Sequence, residues 1–347
     1  MDFECSKVLV PCLQELAEDP NLVTVPQRYI RYDDETQIQT NSSVISSDEI
    51  PVINFQNLLL MSESDNSELY ESELNKLHLA CKDWGFFQLV NHGVSNCLVE
   101  KIKEGVEELY KLPIEEKRKK LWRNPGEKEG FGDSGVLSDE QVLDWNDEFF
   151  LFTLPVALRN PHLFPNLPLP LRFSFFFTSS FFVLELAKLA MMLISQMEKI
   201  LGIKSKEISK LFEDGIQGMC LHYYPPCPQP DQVSGLAPHS DAAAITILYQ
   251  LNQVDGFQVN KDGMWIPIIT NGIYLSNIHR AVVNSAKERM SIVTFLNANE
   301  DCDIGPIQSL VTQQNPALYK TMTSKEYIKL MFSREYNGKF HIDLFKL

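Results

Sequence analysis

Two histidines and an aspartate carry the strongest chemical signal in this chain of 347 residues. His239 and Asp241 stand two apart in His239-Ser240-Asp241, and the second histidine comes in His279-Arg280-Ala281. Side chains two apart on a strand point to one face, so a strand here aims both ligands at a common point. Two imidazoles and one carboxylate occupy three adjacent corners of an octahedron and leave three open, an arrangement suited to Fe(II) and O2. Arg289-Met290-Ser291 begins ten residues after His279. An Arg and a hydroxyl on one strand face offer a fork and a donor to a carboxylate. A lone His in an apolar strand is more often a packed core residue. The order His, Asp, His, Arg, Ser separates this stretch from that background.

Other stretches extend the pattern. Tyr223-Tyr224-Pro225-Pro226-Cys227-Pro228, Asp83-Trp84-Gly85-Phe86-Phe87-Gln88 with Asn91-His92-Gly93, and Ile50-Pro51-Val52-Ile53 resemble segments of the plant Fe(II)/2-oxoglutarate-dependent dioxygenases. Gln141-Val142-Leu143-Asp144-Trp145 and Leu158-Arg159-Asn160-Pro161-His162-Leu163-Phe164 are similar to the subgroup of thebaine 6-O-demethylase, codeine O-demethylase and the senescence-related-gene-1-like proteins. The resemblance implies a mainly β fold with α: a double-stranded β-helix (jelly-roll) core wrapped by an α-rich N-terminal region. It implies an oxidoreductase that hydroxylates or O-demethylates a plant specialised metabolite, with a benzylisoquinoline-type alkaloid as first candidate. The implied cofactors are Fe(II), 2-oxoglutarate and O2, with ascorbate as a supporting reductant.

Carried over position by position, the resemblance makes His239, Asp241 and His279 the metal ligands and catalytic centre. It makes Tyr224, Arg289 and Ser291 the grip on 2-oxoglutarate. His222 stands where the family usually has Asn. It reads as a hydrogen-bonding histidine beside the cofactor pocket, with a fourth iron ligand as the rarer alternative.

Bulk properties narrow the partners. A formal net charge of −15 disfavours nucleic acid and anionic membrane, which select basic faces. Seven cysteines without paired short spacing make neither a disulfide frame nor a zinc site. The start Met1-Asp2-Phe3-Glu4-Cys5 lacks the basic, then apolar, build of a signal peptide. These features predict a reduced, cytoplasmic enzyme acting on a small molecule, with no obligate protein partner.

The segments that must position the site divide as follows. Residues 1–48 give a helix over Val8–Glu18 and a polar linker over Thr36–Asp48. Residues 49–165 form a non-heme dioxygenase N-terminal domain, with a strand at Ile50–Phe55, a helix at Ser67–Trp84 closed by Gly85, and a buried strand at Phe86–Val90. His92 belongs to a turn, where it caps backbone groups. A helix at Cys97–Lys111 precedes one starting after Pro113, whose Lys and Arg run reads as a solvated face. Glu129-Gly130-Phe131-Gly132 lies where the resemblance closes the substrate pocket. The acids of Asp144–Phe150 cap helices and pair with Arg. Residues 166–212 hold connecting helices, 213–300 the catalytic domain, and 301–347 a C-terminal helix at Ser324–Phe332 that lids the pocket, then a tail.

Two places break the resemblance. Phe173–Phe182 is rich in Phe and Ser and carries no charge where a long helix with a polar outer face is implied. It has the composition of translated pyrimidine-rich sequence and, if exposed, forms an aggregation-prone patch. The second break lies near 268–270. Only 37 residues separate Asp241 from His279, roughly one and a half dozen fewer than the motif spacing of the family leads one to expect. A missing strand leaves unpaired sheet edges and threatens to draw His279 out of reach. That predicts, as the rival reading, a catalytically impaired member with a defective iron site.

Overall fold

The computed structural model describes residues 11–31, 50–60, 67–124, 127–132, 136, 138, 140–176, 181–265, 268–332 and 345–347. Residues 8–10, the linker over 36–48 and the heart of the Phe-rich run at 177–180 lie outside them.

The N-terminal part is helical. α1 (Leu13–Ala17) is short. β1 (Val52–Asn54) pairs in parallel with β2 (Gln88–Val90), and α2 (Phe55–Leu59) follows β1 at once. The strand expected to run through Phe55 therefore ends one residue early, because the Asn54 side chain accepts from Gln56 N and caps a helix there. α3 (Ser67–Leu79) continues into a wider turn over Ala80–Trp84, which Gly85 ends in a left-handed conformation at φ 63°. A Cβ at Gly85 would lie 2.5 Å from Leu275 O, so glycine is required twice over. β2 is not the buried strand that its sequence suggests. Gln88 and Val90 are exposed, since a two-stranded edge covers only one face.

α4 (Asn96–Lys111) buries Val99, Ile102, Val106 and Leu109, spaced three and four apart on one stripe. Each such side chain contributes about 1.5–3 kcal/mol on burial, which fixes the helix against the core. α5 (Ile114–Lys120) follows. Its basic run is not wholly solvated. Lys117 is 2 % exposed, and its Nζ donates to Tyr110 O at 2.7 Å and to Gln14 Oε1.

β3 (Gly130–Phe131) and β4 (Asp147–Leu154) lead into α6 (Leu169–Phe176) and α7 (Phe181–Ile200). The acids before and on β4 do what the sequence suggests. Asp144 pairs with Arg31 at 2.6 Å, Asp147 accepts from Leu13 N and Gln14 N at the start of α1, and Glu148 pairs with Arg123 at 3.2 Å. β3 departs from expectation. It packs against Leu121 and Arg123 at the sheet edge and is not among the residues lining the main cavity.

After α8 (Glu207–Phe212) come β5 (Ile216–Tyr224), β6 (Leu236–His239), β7 (Ile245–Gln250), β8 (Phe257–Trp265), β9 (Ser276–Ala281) and β10 (Arg289–Asn297). They form two antiparallel sheets, one in the order β3-β4-β5-β10-β7 and one in the order β6-β9-β8. The large sheet packs Met219, Leu221, Tyr223, Met290 and Ile292 into the helical core on one face. Its other face looks across a cavity to the small sheet, which is the jelly roll. β11 (Asp303–Ile304), β12 (Met322–Thr323) and α9 (Ser324–Phe332) complete the chain.

β7 ends the large sheet, and all six of its residues are at least partly exposed. No strand of the large sheet occurs between β8 and β9 among the described residues. β7 is therefore an edge strand of the large sheet among the described residues.

Candidate active site

His239 and His279 come from neighbouring strands and stand directly opposite each other in the β6–β9 pairing. Their rings are 4.2 Å apart between centroids. Asp241 lies beyond the end of β6, not on a common strand with His239 as its spacing implies. It still turns to the same point: its Oδ1 is 3.5 Å from His239 Nε2 and 3.7 Å from His279 Nε2. Among the described residues this is one of two groups of possible metal ligands.

Each imidazole is held from behind. His239 Nδ1 donates to Ala237 O at 2.8 Å, and His279 Nδ1 to Asn277 O at 3.2 Å. A backbone carbonyl on Nδ1 fixes the tautomer that offers Nε2 as a ligand. The electrostatics agree. Burial opposes the charge of Asp241, but His279 and His239 hold its carboxyl well below the usual carboxylate range. Burial, then His239, pushes His279 down to about 4. Burial lowers His239 too, but the Asp241 contact outweighs it and leaves His239 above its ordinary value. A carboxylate with two imidazoles that share at most one proton is a donor set ready for a divalent cation.

The short connection does not displace His279. Its position is set by pairing on both sides, to His239 in β6 and to Val259 in β8. Those hydrogen bonds belong to the small sheet. β9 stays paired with both neighbours in that sheet, so the short connection leaves the imidazole in place. The expectation that spacing pulls the third ligand away is corrected here.

On the facing sheet, Arg289 pairs with Tyr224 and Ser291 with His222. Arg289 is 2 % exposed, its Nη1 donates to Ser291 Oγ at 3.3 Å, and its guanidinium carbon sits 5.0 Å from the Tyr224 ring centroid. Burial pushes the Tyr224 phenol up to about 12, although Arg289 and Ser291 pull it the other way. Arg289 Nε and Nη2 are buried with no partner. Unpaired buried donors of a guanidinium cost several kcal/mol in order of magnitude, and a carboxylate is the group whose geometry satisfies them. A Cβ at Gly256 would meet Arg289 Cδ at 2.9 Å, so a residue without a side chain keeps this pocket open.

His222 is buried, its Nδ1 lies 3.3 Å from Asn146 Oδ1 and its ring stacks on Tyr224 at 5.8 Å. Burial, then Arg289, pushes it down to about 3. It stands outside the His239–Asp241–His279 group and has the hydrogen-bonding role expected of it. His92 accepts from Val94 N through Nδ1 at 3.2 Å, as a turn histidine does. Sequence reasoning missed Asn146 and Phe257, whose ring lies 5.3 Å from that of His279. Only the register of β8 on β9 reveals the latter.

Both sets of residues line one cavity of about 640 Å³, within the range of small-molecule sites. Leu186, Leu189 and Leu193 of α7 form an apolar wall, and α9 reaches it through Tyr327. Tyr327 donates to Ala242 O at 3.0 Å, next to the Asp241 loop, which seats α9 against the cavity. No helix among the described residues is long and apolar enough to cross a membrane.

A jelly roll with two imidazoles and a carboxylate at one side of its cavity and a buried guanidinium across from them defines an iron- and keto-acid-dependent oxygenase. Residues 50–167 match the profile of the non-haem dioxygenase in morphine synthesis N-terminal, and residues 215–298 that of the 2OG-Fe(II) oxygenase superfamily. The chain is 44 % identical over 355 aligned positions to oxoglutarate-dependent flavonoid 7-O-demethylase 1 of Ocimum basilicum, covering 97 % of this chain and 91 % of the relative. It is 42 % identical over 356 positions to codeine O-demethylase of Papaver somniferum, covering 97 % and 96 %. Both alignments run longer than the 347 residues of the chain itself, so both relatives carry positions that it lacks. The crystal structure of JOX2 in complex with 2OG, Fe and JA superposes with a TM-score of 0.82 at 31 % identity, covering 99 % of each chain. The chain belongs to the plant 2OG-Fe(II) oxygenases, in the subgroup of the codeine and thebaine O-demethylases. It is a dioxygenase that uses Fe(II), 2-oxoglutarate and O2.

Proposed function

We propose that this enzyme hydroxylates or O-demethylates a methoxylated plant specialised metabolite, with a benzylisoquinoline-type alkaloid as the leading candidate. The observation that carries the reading is the pairing, across one cavity, of the His239–Asp241–His279 group with the unpartnered donors of Arg289. His239, Asp241 and His279 would hold Fe(II). Arg289, Ser291 and Tyr224 would hold the far carboxylate of 2-oxoglutarate. When bound, Fe(II), 2-oxoglutarate and O2 supply oxidative decarboxylation to succinate and CO2, coupled to insertion of one oxygen atom into a substrate C–H bond.

The chain orients and shields. Ala237 O and Asn277 O occupy Nδ1 of each imidazole and aim Nε2 at the shared point. Phe257 and the α7 leucines exclude water from the reacting carbon. Hydroxylation of an O-methyl carbon gives a hemiacetal, which falls apart to formaldehyde and a free hydroxyl. Two relatives with O-demethylase names, one for a flavonoid and one for codeine, support the methyl ether as the reacting group. Incubating purified protein with methoxylated alkaloids and flavonoids tests this. Succinate and formaldehyde should appear in equal amounts with at least one alkaloid, and His239→Ala should abolish both. Turnover of a substrate without a methoxy group, and of none with one, would overturn the proposal.

A further inference from the structure

A second cluster of metal-ligand side chains sits on the same face of the large sheet and plays no part in the chemistry above. Glu148 and His222 are direct partners across β4 and β5, and Cys220 is two residues from His222 on the same strand. Period-two alternation puts all three on one face. One ligand atom from each lies within 4.8 Å of the others, and Cys220 Sγ is 3.9 Å from Glu148 Oε2. We infer that Glu148, Cys220 and His222 form a second metal site for a borderline divalent cation of the Zn2+ class, separate from His239, Asp241 and His279.

The donor set fits such an ion. A thiolate, an imidazole and a carboxylate are the ligand types of zinc, and three protein ligands plus water complete its tetrahedron. Bonds of about 2.0–2.3 Å place tetrahedral donors roughly 3.3–3.8 Å apart, near the 3.9 Å between Cys220 Sγ and Glu148 Oε2. Two of the ligands already have the outer partners that metal ligands require. Arg123 holds Glu148 through Oε1, on the oxygen other than the one nearest Cys220, and Asn146 holds the His222 ring through Nδ1. Cys220 and His222 are 4 % and 5 % exposed, while the Glu148 side chain is 18 % exposed and provides the approach. Thiolate and carboxylate together balance the charge of a dication.

The inference does not rest on the iron site, and its test separates the two. The full chain, stripped of metal by chelator and reduced, is titrated with Co2+. The expected result is two Co2+ per chain, one of them producing an intense thiolate-to-cobalt charge-transfer band in the near ultraviolet. Cys220→Ser should lose that band and one equivalent of metal, Glu148→Gln should weaken its affinity at least tenfold, and His239→Ala should keep it. Absence of the band in the unsubstituted chain, or its survival in Cys220→Ser, would overturn the inference. If Cys220→Ser fails to fold, an unchanged band affinity in both Glu148→Gln and His222→Asn would do so.

Discussion

Arg289 faces Tyr224 across paired strands, its guanidinium carbon 5.0 Å from the ring centroid. The ring covers one side of the guanidinium and Ser291 occupies Nη1, while Nε and Nη2 keep donors for a ligand. Hydrogen bonds to a charged group contribute about 1.5–3 kcal/mol, which is roughly a ten- to hundredfold change in binding. Arg289→Ala should therefore raise the KM for 2-oxoglutarate by that factor or more, with a smaller change in the KM for the organic substrate. Initial-rate measurements with each substrate varied in turn check this. Equal effects on both would remove Arg289 from the keto-acid grip.

Lys117 tests the packing of the N-terminal helix. Its Nζ joins Tyr110 O to Gln14 Oε1, and its aliphatic stem is buried. Lys117→Ala leaves both acceptors unpaired and should cost about 2–4 kcal/mol. Lys119→Ala, on the exposed side of the same helix, should stay within about 0.5 kcal/mol. Urea unfolding of the two variants reads the difference. Equal effects would return the whole basic run to a solvated face.

The metal-free chain should weaken in acid. His222 and His279 are held down to about 3 and about 4, so the folded state refuses protons that the unfolded state accepts below about 6.5. The unfolded chain then binds more protons, so stability is full above about pH 6.5 and falls as pH drops toward 4. The slope approaches about 1.4 kcal/mol per pH unit for each histidine. His239 and the buried carboxyls of Asp147 and Glu129, the last pushed by burial up to about 7, are held above their ordinary values, contribute with the opposite sign and offset part of this. Thermal unfolding from pH 7.5 to 4.5 should show a falling Tm, and His222→Asn should flatten the fall. A pH profile left unchanged by His222→Asn would contradict the burial argument.

β7 should be the weak strand of the large sheet. Among the described residues it pairs only with β10, whereas β10 is held between β7 and β5. Amides of Ile245–Gln250 that face away from β10 have no ladder partner among the described residues, and local opening needs little of the global free energy. Hydrogen exchange should label β7 well before β5 and β10. Protection of β7 equal to that of β10 would show its open edge to be covered.

Much of the site was legible because its signal is local. His239, His279, Arg289 and Ser291 lie on strands, and Asp241 stands two residues past the end of β6, close enough in sequence for its spacing from His239 to mark it. The acids at 144, 147 and 148 announced caps and Arg partners because a buried carboxylate needs them. What was hidden is what depends on distant chain. Lys117 looks solvated until Gln14, about a hundred residues away, closes over it. The exposure of β2 follows from the smallness of its sheet. The position of His279 could not be judged from loop length, because cross-strand register places it and the connection does not.

The central claim is that His239, Asp241 and His279 bind one Fe(II) beside a keto acid gripped by Arg289. Anaerobic addition of Fe(II) and then 2-oxoglutarate tests it most directly, through the visible metal-to-ligand charge-transfer band that a chelated keto acid gives. The account predicts one equivalent of 2-oxoglutarate per chain at saturating Fe(II), loss of the band in His279→Ala, and a band that needs more 2-oxoglutarate to develop in Arg289→Ala. No band at saturating Fe(II) and 2-oxoglutarate, or an undiminished one in His279→Ala, would contradict it.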